Sequence, residues 1–225
     1  MTPKYKSYRT KWEDDLYSKA NIKESYIIRI VVEGAQTEKK FFRDCVQTSP
    51  RIHVQVLPPE ENQSGPEKLF DQIVAEIQQD IDQSNRQPAD QNWIVCDVDE
   101  HPYLEQTIEK IDKLNAEHPD EFPAIQIAIS NPCFEVWLAL YKKRNLRNKT
   151  PFCSKEGLRT LLLDIDPNFS KTRFNTSLFQ RHTIAINQAK DLDINKSEPI
   201  PERPGTRVYR ILEEILKIEK QSNTK

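Results

Sequence analysis

Glycine is scarce in this sequence: its 225 residues include only four glycines, and no G-x-x-x-x-G-K pattern occurs. Loops that cradle the phosphates of ATP use such glycines because their backbone N–H groups must approach the nucleotide closely. The chain is therefore not expected to hydrolyse ATP. Any control by nucleotide hydrolysis would have to come from a partner.

Long apolar runs are also absent. The longest, YIIRIVV and FEVWLALY, are interrupted by Arg29 and Glu135 and are far shorter than the ~18 uncharged residues of a membrane helix. Residues 1–15 alternate basic and polar side chains without the apolar core of a signal peptide. We expect no membrane association and a cytoplasmic location.

Paired cysteines and a strong net charge are missing as well. The four cysteines are scattered without a C-x-x-C pair, so we expect reduced, buried thiols rather than zinc ligands or disulfides. A formal net charge of -2 excludes a uniformly basic nucleic-acid coat. It still allows a local basic stripe, because an electrostatic field depends on how charges are distributed.

What the sequence does contain is a regular alternation of strand and helix signals. Apolar, β-branched stretches predict strands at 25–32, 51–57, 92–96 and 124–130. Helical patterns lie between them, at about 67–83 and 101–117, with a further helix starting at residue 131. This alternation predicts an α/β fold with an open, mostly parallel central sheet flanked by helices on both faces.

Beyond residue 149 the strand signals stop, and three short apolar helices are predicted at 155–163, 183–192 and 207–218. We predict a basic N-terminal arm at 1–25, expected to be flexible, and a main domain at 26–145. A helical C-terminal extension at 146–225 is expected to pack on that same domain.

Acidic residues follow three of the predicted strands. Glu33 comes directly after the first strand, Asp97 and Asp99 after the third, and Glu135 in the first turn of the helix that leaves the fourth. The carboxyl ends of strands in an open α/β sheet form a ligand crevice, and carboxylates gathered there would repel unless a cation holds them. Oxygen ligands of this kind suit Mg²⁺ or Mn²⁺. The competing interpretation is that each acid is an ordinary helix cap, favoured by the helix dipole.

Residues beside these acids are predicted to support them. Asn131 is a good N-cap and Pro132 suits the first helical position, so the helix is expected to begin there and to aim Glu135 at the other acids. Glu100 and His101 fit a cap or loop position as well as they fit a ligand position.

Three segments, VVEGAQTEKKFF, IVCDVDEHP and AISNPCFEVWLALY, resemble the RloB family, whose members are similar to Toprim nucleases and are associated with bacterial restriction and phage-defence loci. The resemblance implies a Toprim-like, Rossmann-like catalytic domain in which Glu33, Asp97 and Asp99 are the Toprim acids. It makes Asn131 and Glu135 part of an RloB-type extension. Two later segments, SKTRFN and PGTRVYRILEEI, are similar to weaker C-terminal motifs of the same family.

The resemblance also implies a partner ATPase of the ABC or SMC type, because relatives are often encoded beside one. Gly34, which follows the first acid of the motif, and Glu100 are expected to have supporting roles. The turn EGAQTE departs from relatives, which often carry a charged residue where Ala35 and Gln36 stand. We therefore expect no role for that turn beyond its shape.

Bound divalent ions would allow this set of acids to act on a phosphodiester, because they reverse the local sign of charge and activate water. Asp97 and Asp99 are predicted metal ligands, Glu135 a further ligand, and Glu33 either a ligand or the general base. The candidate nucleic-acid contacts are cations: Lys142, Lys143, Arg144, Lys171 and Arg173. Those at 142–144 have an alternative explanation, because cations are favoured at the C-terminus of a helix.

Two classes of function remain open from the sequence. The first is an Mg²⁺- or Mn²⁺-dependent nuclease that cleaves tRNA, other RNA or DNA as the toxic effector of an anti-phage or abortive-infection system. The second is a non-catalytic nucleic-acid-binding or regulatory subunit whose acids hold a structural metal. A phosphatase or nucleotidyl-transfer enzyme acting on small substrates is a more remote third possibility. The oligomeric state is not predicted.

Overall fold

The computed structural model describes residues 25–46, 48–59, 65–83, 86–98, 101–118, 122–146 and 148–222. The elements of the first part are β1 Tyr26–Val32, α1 Thr37–Lys40, a π-helical turn Phe41–Cys45, β2 Ile52–Leu57, α2 Pro66–Asp82, β3 Gln91–Asp97, α3 Leu104–Glu117, β4 Ile125–Asn131 and α4 Glu135–Ala139. Those of the second part are a 3-10 turn Thr150–Cys153, α5 Lys155–Leu163, a 3-10 turn Thr176–Phe179, α6 His182–Leu192, β5 Gly205–Thr206 and α7 Val208–Ser222. The arm predicted at 1–25 lies outside the described residues, except for Ser25.

The strands form one sheet in the order β2-β1-β3-β4-β5. β1 to β4 are parallel, and β5 joins β4 in the antiparallel direction. The chain leaves β1 for β2 on one side and then returns to β3 on the other side, so the carboxyl ends of β1 and β3 flank a topological switch point. Ligands of open α/β sheets bind at such points. The predicted fold class, a mostly parallel α/β sheet flanked by helices with a C-terminal helical extension, is confirmed.

Each face of the sheet is covered by its own apolar layer, because successive strand residues point to opposite faces. On one face α2 and α3 pack through Leu69, Ile73, Ile77, Leu104, Ile108 and Ile111. On the other face the π-helical turn and α4 to α7 share a core with Ile30 and Val95. The C-terminal helices therefore pack directly on the sheet that carries the acids.

Two buried arginines are satisfied by buried carboxylates. Arg29, the charge that interrupts β1, is 1% exposed and contacts Asp80 at 2.8 Å. Arg207, between β5 and α7, donates to Asp193 and to the backbone carbonyls of Asn195 and Pro199. Because removing one partner of such a pair leaves an uncompensated buried charge, both pairs hold the packing of the helices around the sheet in place.

The predicted N-cap at Asn131 is wrong. Asn131 is the last residue of β4 and pairs with Gly205 of β5, and its side-chain amide donates to the carbonyl of Pro201 at 2.9 Å. The Asn131–Pro132 peptide bond is cis, and the helix begins only at Glu135, with Phe134 at its N-cap and no side-chain cap. Asn131 thus extends the sheet instead of starting the helix.

The helix expected to run from residue 131 to the cations at 142–144 is also much shorter than predicted. α4 ends at Ala139, because the following backbone bonds to the side chain of Gln188 from α6. That amide donates to the carbonyls of Leu140 and Lys142 and accepts from the N–H of Arg144. The cations at 142–144 therefore do not sit on the last turn of a helix.

The C-terminal helices α5, α6 and α7 lie close to their predicted positions. The absence of strands beyond residue 149 was not correctly predicted, since β5 contributes two residues to the sheet edge. No helix in the described part of the chain is long and apolar enough to cross a membrane. Of the cysteines, three are buried, Cys153 is half-buried, and all four are free thiols.

Candidate active site

Glu33 and Asp97 meet at the ends of the neighbouring strands β1 and β3. The carboxylate of Glu33 accepts from the backbone N–H of Asp97 at 3.1 Å, and its other oxygen lies 2.5 Å from Nε2 of His101. The Glu33 backbone N–H donates to the carbonyl of Val95 at 3.0 Å, which continues the β1–β3 pairing past the end of β1. These contacts fix the Glu33 carboxylate at the switch point, and its side chain is 15% exposed.

Glu135 reaches the same region from the first turn of α4. Its side chain is 11% exposed and lies 3.0 Å from Nζ of Lys171. Burial raises the pKa of the neighbouring Cys133 thiol well above its usual range, and the negative charges of Glu135 and Asp97 raise it further. The side chains of Glu135, Asp97 and Cys133 also line the same cavity.

A fourth carboxylate, Glu38, was not predicted from the sequence. It belongs to α1 and is 7% exposed. Burial raises its pKa to about 7, and the nearby negative charges of Glu135 and Glu33 raise it further, while Lys171 acts in the opposite direction. The turn EGAQTE therefore carries two carboxylates, Glu33 and Glu38, whose charges interact, and the expectation that this turn has no role beyond its shape stays a prediction.

Gly34 makes room for that fourth carboxylate. A Cβ atom built at position 34 would overlap the carboxylate of Glu38. Because Gly34 has no side chain, the Glu38 carboxylate can lie close to the backbone at this point, next to the end of β1. The lack of a side chain at Gly34 therefore offers a steric explanation for the supporting role that was predicted for this residue.

A cavity of about 460 Å³ adjoins the acids. It is lined by the carboxylates Asp97 and Glu135, the cations Lys155, Arg159 and Lys171, the apolar residues Leu158, Leu162 and Phe169, and by Cys133 and Ser170. The cations and the three apolar residues come from α5 and the segment that follows it. Cations and carboxylates thus line one space that is large enough for a small ligand.

Of the five cations predicted to contact nucleic acid, only Lys171 lines this cavity. Lys142 and Arg144 both contact Asp164, at 2.8 and 2.5 Å. Lys143 lines a separate cavity with Gln188 and Asp191. Arg173 is exposed in a turn closed by hydrogen bonds with Ser170. Lys155 and Arg159 also line the cavity but were not predicted from the sequence, because their position beside the acids depends on how α5 packs.

Asp99 and Glu100 lie outside the described residues. In the described ranges, no group of three or more His, Cys, Asp or Glu side chains forms a ready metal site. The chemistry of the donors nevertheless suits a divalent ion, because Glu33, Glu38, Asp97 and Glu135 offer carboxylate oxygens. The raised pKa of Glu38 comes first from its burial and only secondarily from the negative charges of Glu135 and Glu33.

The fold and the site together define a class: an α/β protein with a cluster of carboxylates at the switch point of a mostly parallel sheet. A family model for RloB-like proteins matches residues 28–215, and the chain belongs to this family. No curated protein and no solved structure matches the sequence.

Proposed function

We propose that this protein is an Mg²⁺- or Mn²⁺-dependent nuclease that hydrolyses phosphodiester bonds in RNA or DNA. The observation that carries the proposal is a cavity lined by the carboxylates of Asp97 and Glu135 and by three cations. Two further carboxylates belong to the same group, because Glu33 accepts from the backbone N–H of Asp97 and Glu38 interacts electrostatically with Glu33 and Glu135. Carboxylates alone repel a phosphodiester, whereas carboxylates that hold a cation attract one. The family resemblance extends the proposal to an effector of anti-phage defence that works with an ABC- or SMC-type ATPase.

The four carboxylates, together with Asp99, are the residues that would hold the ion. A bound divalent ion supplies a more acidic water molecule and stabilises negative charge on the leaving oxygen. Glu33 remains a candidate for either a ligand or the general base. In both roles the contact with His101 and the backbone N–H of Asp97 keeps its carboxylate oriented.

The cations of the cavity have a separate task. Lys171 neutralises Glu135 at 3.0 Å and also lines the cavity, so its ammonium can pair with a phosphate that enters. Arg159 and Lys155 lie on the same wall and offer further donors to phosphate oxygens. The substrate phosphate would thus sit between these cations and the carboxylates of Asp97 and Glu135.

The direct test uses purified protein with total RNA and with plasmid DNA in the presence of Mn²⁺. The wild type should cleave one or both, and Asp97→Asn and Glu135→Gln should lose ~100-fold or more of the rate. Asp71→Asn, an exposed acid on α2 at the opposite face of the sheet, should cleave as the wild type does. Calorimetric titration with Mn²⁺ adds a readout independent of cleavage, in which Asp97→Asn should bind the ion more weakly.

The same reasoning extends to cells. Wild-type protein, expressed with any ATPase that is encoded beside it and challenged with phage, should stop growth and degrade a nucleic acid. Asp97→Asn and Asp99→Asn should be folded and harmless, because they keep the side-chain shape and remove the charge that holds the ion. If both variants protect cells as well as the wild type does, the nuclease proposal is wrong.

One contact favours the alternative of a non-catalytic binding subunit. Lys171 already compensates Glu135, so part of the acid cluster is neutralised by the chain itself. That alternative requires nucleic-acid binding without cleavage under every metal condition, together with full protection by the Asp97→Asn variant.

A further inference from the structure

The apolar wall of the cavity includes an aromatic ring that is held in place from behind. Phe169 stacks on Phe174 with their ring centroids 5.5 Å apart and an interplanar angle of 25°, and Phe174 meets the buried Phe179 edge-on. Phe169 is itself only half-buried and lines the cavity. The ring therefore offers a supported flat surface next to the carboxylates.

The remaining apolar wall comes from Leu158 and Leu162, one helical turn apart on α5. Lys155 and Arg159 are also separated by four residues on this helix, so they share a neighbouring face. Both are exposed and line the cavity, and Arg159 has no carboxylate partner within the described ranges. The cavity is thus lined by one aromatic ring, two aliphatic side chains and several cations.

We propose that this cavity receives a single nucleotide of a single-stranded nucleic acid, with its base on Phe169 and its phosphate between the cations and the carboxylates. The inference rests on the proposed nuclease function and specifies the form of its substrate. Stacking of a base on an aromatic ring, combined with cations that hold the backbone, is how proteins bind single strands. A volume of about 460 Å³ holds one nucleotide and does not admit a duplex.

Base pairing determines whether a single strand or a duplex binds this cavity more readily. A base inside a duplex is stacked and paired, and it could stack on Phe169 in this cavity only after being extruded, which costs a few kcal/mol. A base in a loop, an overhang or a free strand is already available. Substrates with unpaired nucleotides at the scissile position are therefore favoured.

The test measures binding in Ca²⁺, a hard cation that takes carboxylate oxygens as ligands, by the fluorescence anisotropy of a short labelled oligonucleotide whose integrity is checked on a gel afterwards. Single-stranded DNA, single-stranded RNA of the same sequence and the blunt DNA duplex are compared. One or both single strands should bind at least ~10-fold more tightly than the duplex, a difference of about 1.4 kcal/mol. The preferred single strand identifies the sugar that the pocket accepts.

Variants separate the contact to the base from the contact to the phosphate. Phe169→Leu should weaken single-strand binding about tenfold without changing its salt dependence, and Phe169→Tyr should restore the affinity. Arg159→Gln should reduce the slope of log K against log salt by about 0.7, the value for one phosphate contact to a single strand. Lys113→Gln, which removes a cation from α3 on the opposite face of the sheet, should leave both quantities unchanged.

Equal affinity for duplex and single strand would overturn the inference, as would wild-type affinity in a folded Phe169→Leu variant. Tight binding of a free nucleoside monophosphate with no binding of any oligonucleotide would also overturn it. These outcomes are distinct from failure of the proposed function. A protein that binds single strands as described and never cleaves them would refute the nuclease while leaving the pocket intact.

Discussion

His182 provides a pH dependence that can be worked out from the structure. This first residue of α6 contacts Tyr141 near the end of α4, with its Nδ1 2.6 Å from the tyrosine hydroxyl. It also hydrogen-bonds the backbone of Cys45 at the end of the π-helical turn, and the ring of Phe41 packs against it edge-on. Burial in these surroundings lowers the pKa of His182 from 6.5 to about 4.

The direction of the effect follows from which state binds the proton more tightly. Because the pKa is lower in the folded protein, the unfolded chain takes up a proton first as the pH falls. The stabilisation is complete above the unfolded pKa of 6.5 and is lost as the pH falls towards 4. Between about pH 7.5 and about pH 5, this residue alone should remove ~2 kcal/mol from the free energy of unfolding.

The measurement is urea unfolding at several pH values, followed by circular dichroism. His182→Asn retains a hydrogen-bonding side chain and cannot titrate, so its free energy of unfolding should fall by ~2 kcal/mol less than that of the wild type over this range. His53→Asn, an exposed substitution on β2, serves as the matched control and should follow the wild-type curve. If wild type and His182→Asn show parallel pH dependences, the buried neutral imidazole is not the cause.

Three further predictions concern the site and its supports. Gly34→Ala should lower the free energy of unfolding by no more than ~1 kcal/mol in thermal unfolding, because the atoms that the added methyl meets are the end of a flexible side chain. It should lower Mn²⁺-dependent cleavage, because the methyl displaces the Glu38 carboxylate. Arg207→Ala should cost ~3–5 kcal/mol in urea unfolding, because it leaves Asp193 charged and buried. Lys171→Met should tighten Mn²⁺ binding in calorimetry by up to about fivefold, the ~1 kcal/mol of a partly exposed ion pair, because the ion no longer competes with an ammonium for Glu135.

Each of these three predictions would be refuted by a specific result. Wild-type cleavage by Gly34→Ala would show that the cluster tolerates displacement of Glu38. Arg210 lies 3.8 Å from Asp193 and is 36% exposed, so Arg210→Ala should cost under ~1 kcal/mol. A comparable loss in both arginine variants would mean that the buried pair is not special. Weaker Mn²⁺ binding by Lys171→Met would place the lysine among the groups that support the ion.

The sheet was predictable from the sequence because its strands are short runs of β-branched residues bounded by polar turns. β1, β3 and β4 lie within two residues of their expected limits. β5 was not predictable, because two residues carry no periodicity and their pairing depends on the distant partner β4. The end of α4 was missed for a similar reason, since Gln188 replaces the helical hydrogen bonds from a separate helix.

The acids of the site were predictable to the extent that they follow strands. Glu33, Asp97 and Glu135 meet at one edge because parallel strands carry their carboxyl ends to the same side. Glu38 was missed because an acid in the first turn of a helix is an ordinary capping residue. Its burial against Gly34 appears only in three dimensions. The cations at 155 and 159 were missed because nothing in their local sequence indicates what α5 faces.

The cavity is lined by two neighbouring stretches of the chain. Its carboxylates are Asp97 and Glu135, and its cations are Lys155, Arg159 and Lys171. Synthesis on the ribosome proceeds from the N-terminus, so the acids emerge before the cations. A nascent or prematurely terminated chain that ends before residue 155 would therefore carry the carboxylates without the residues that complete the cavity.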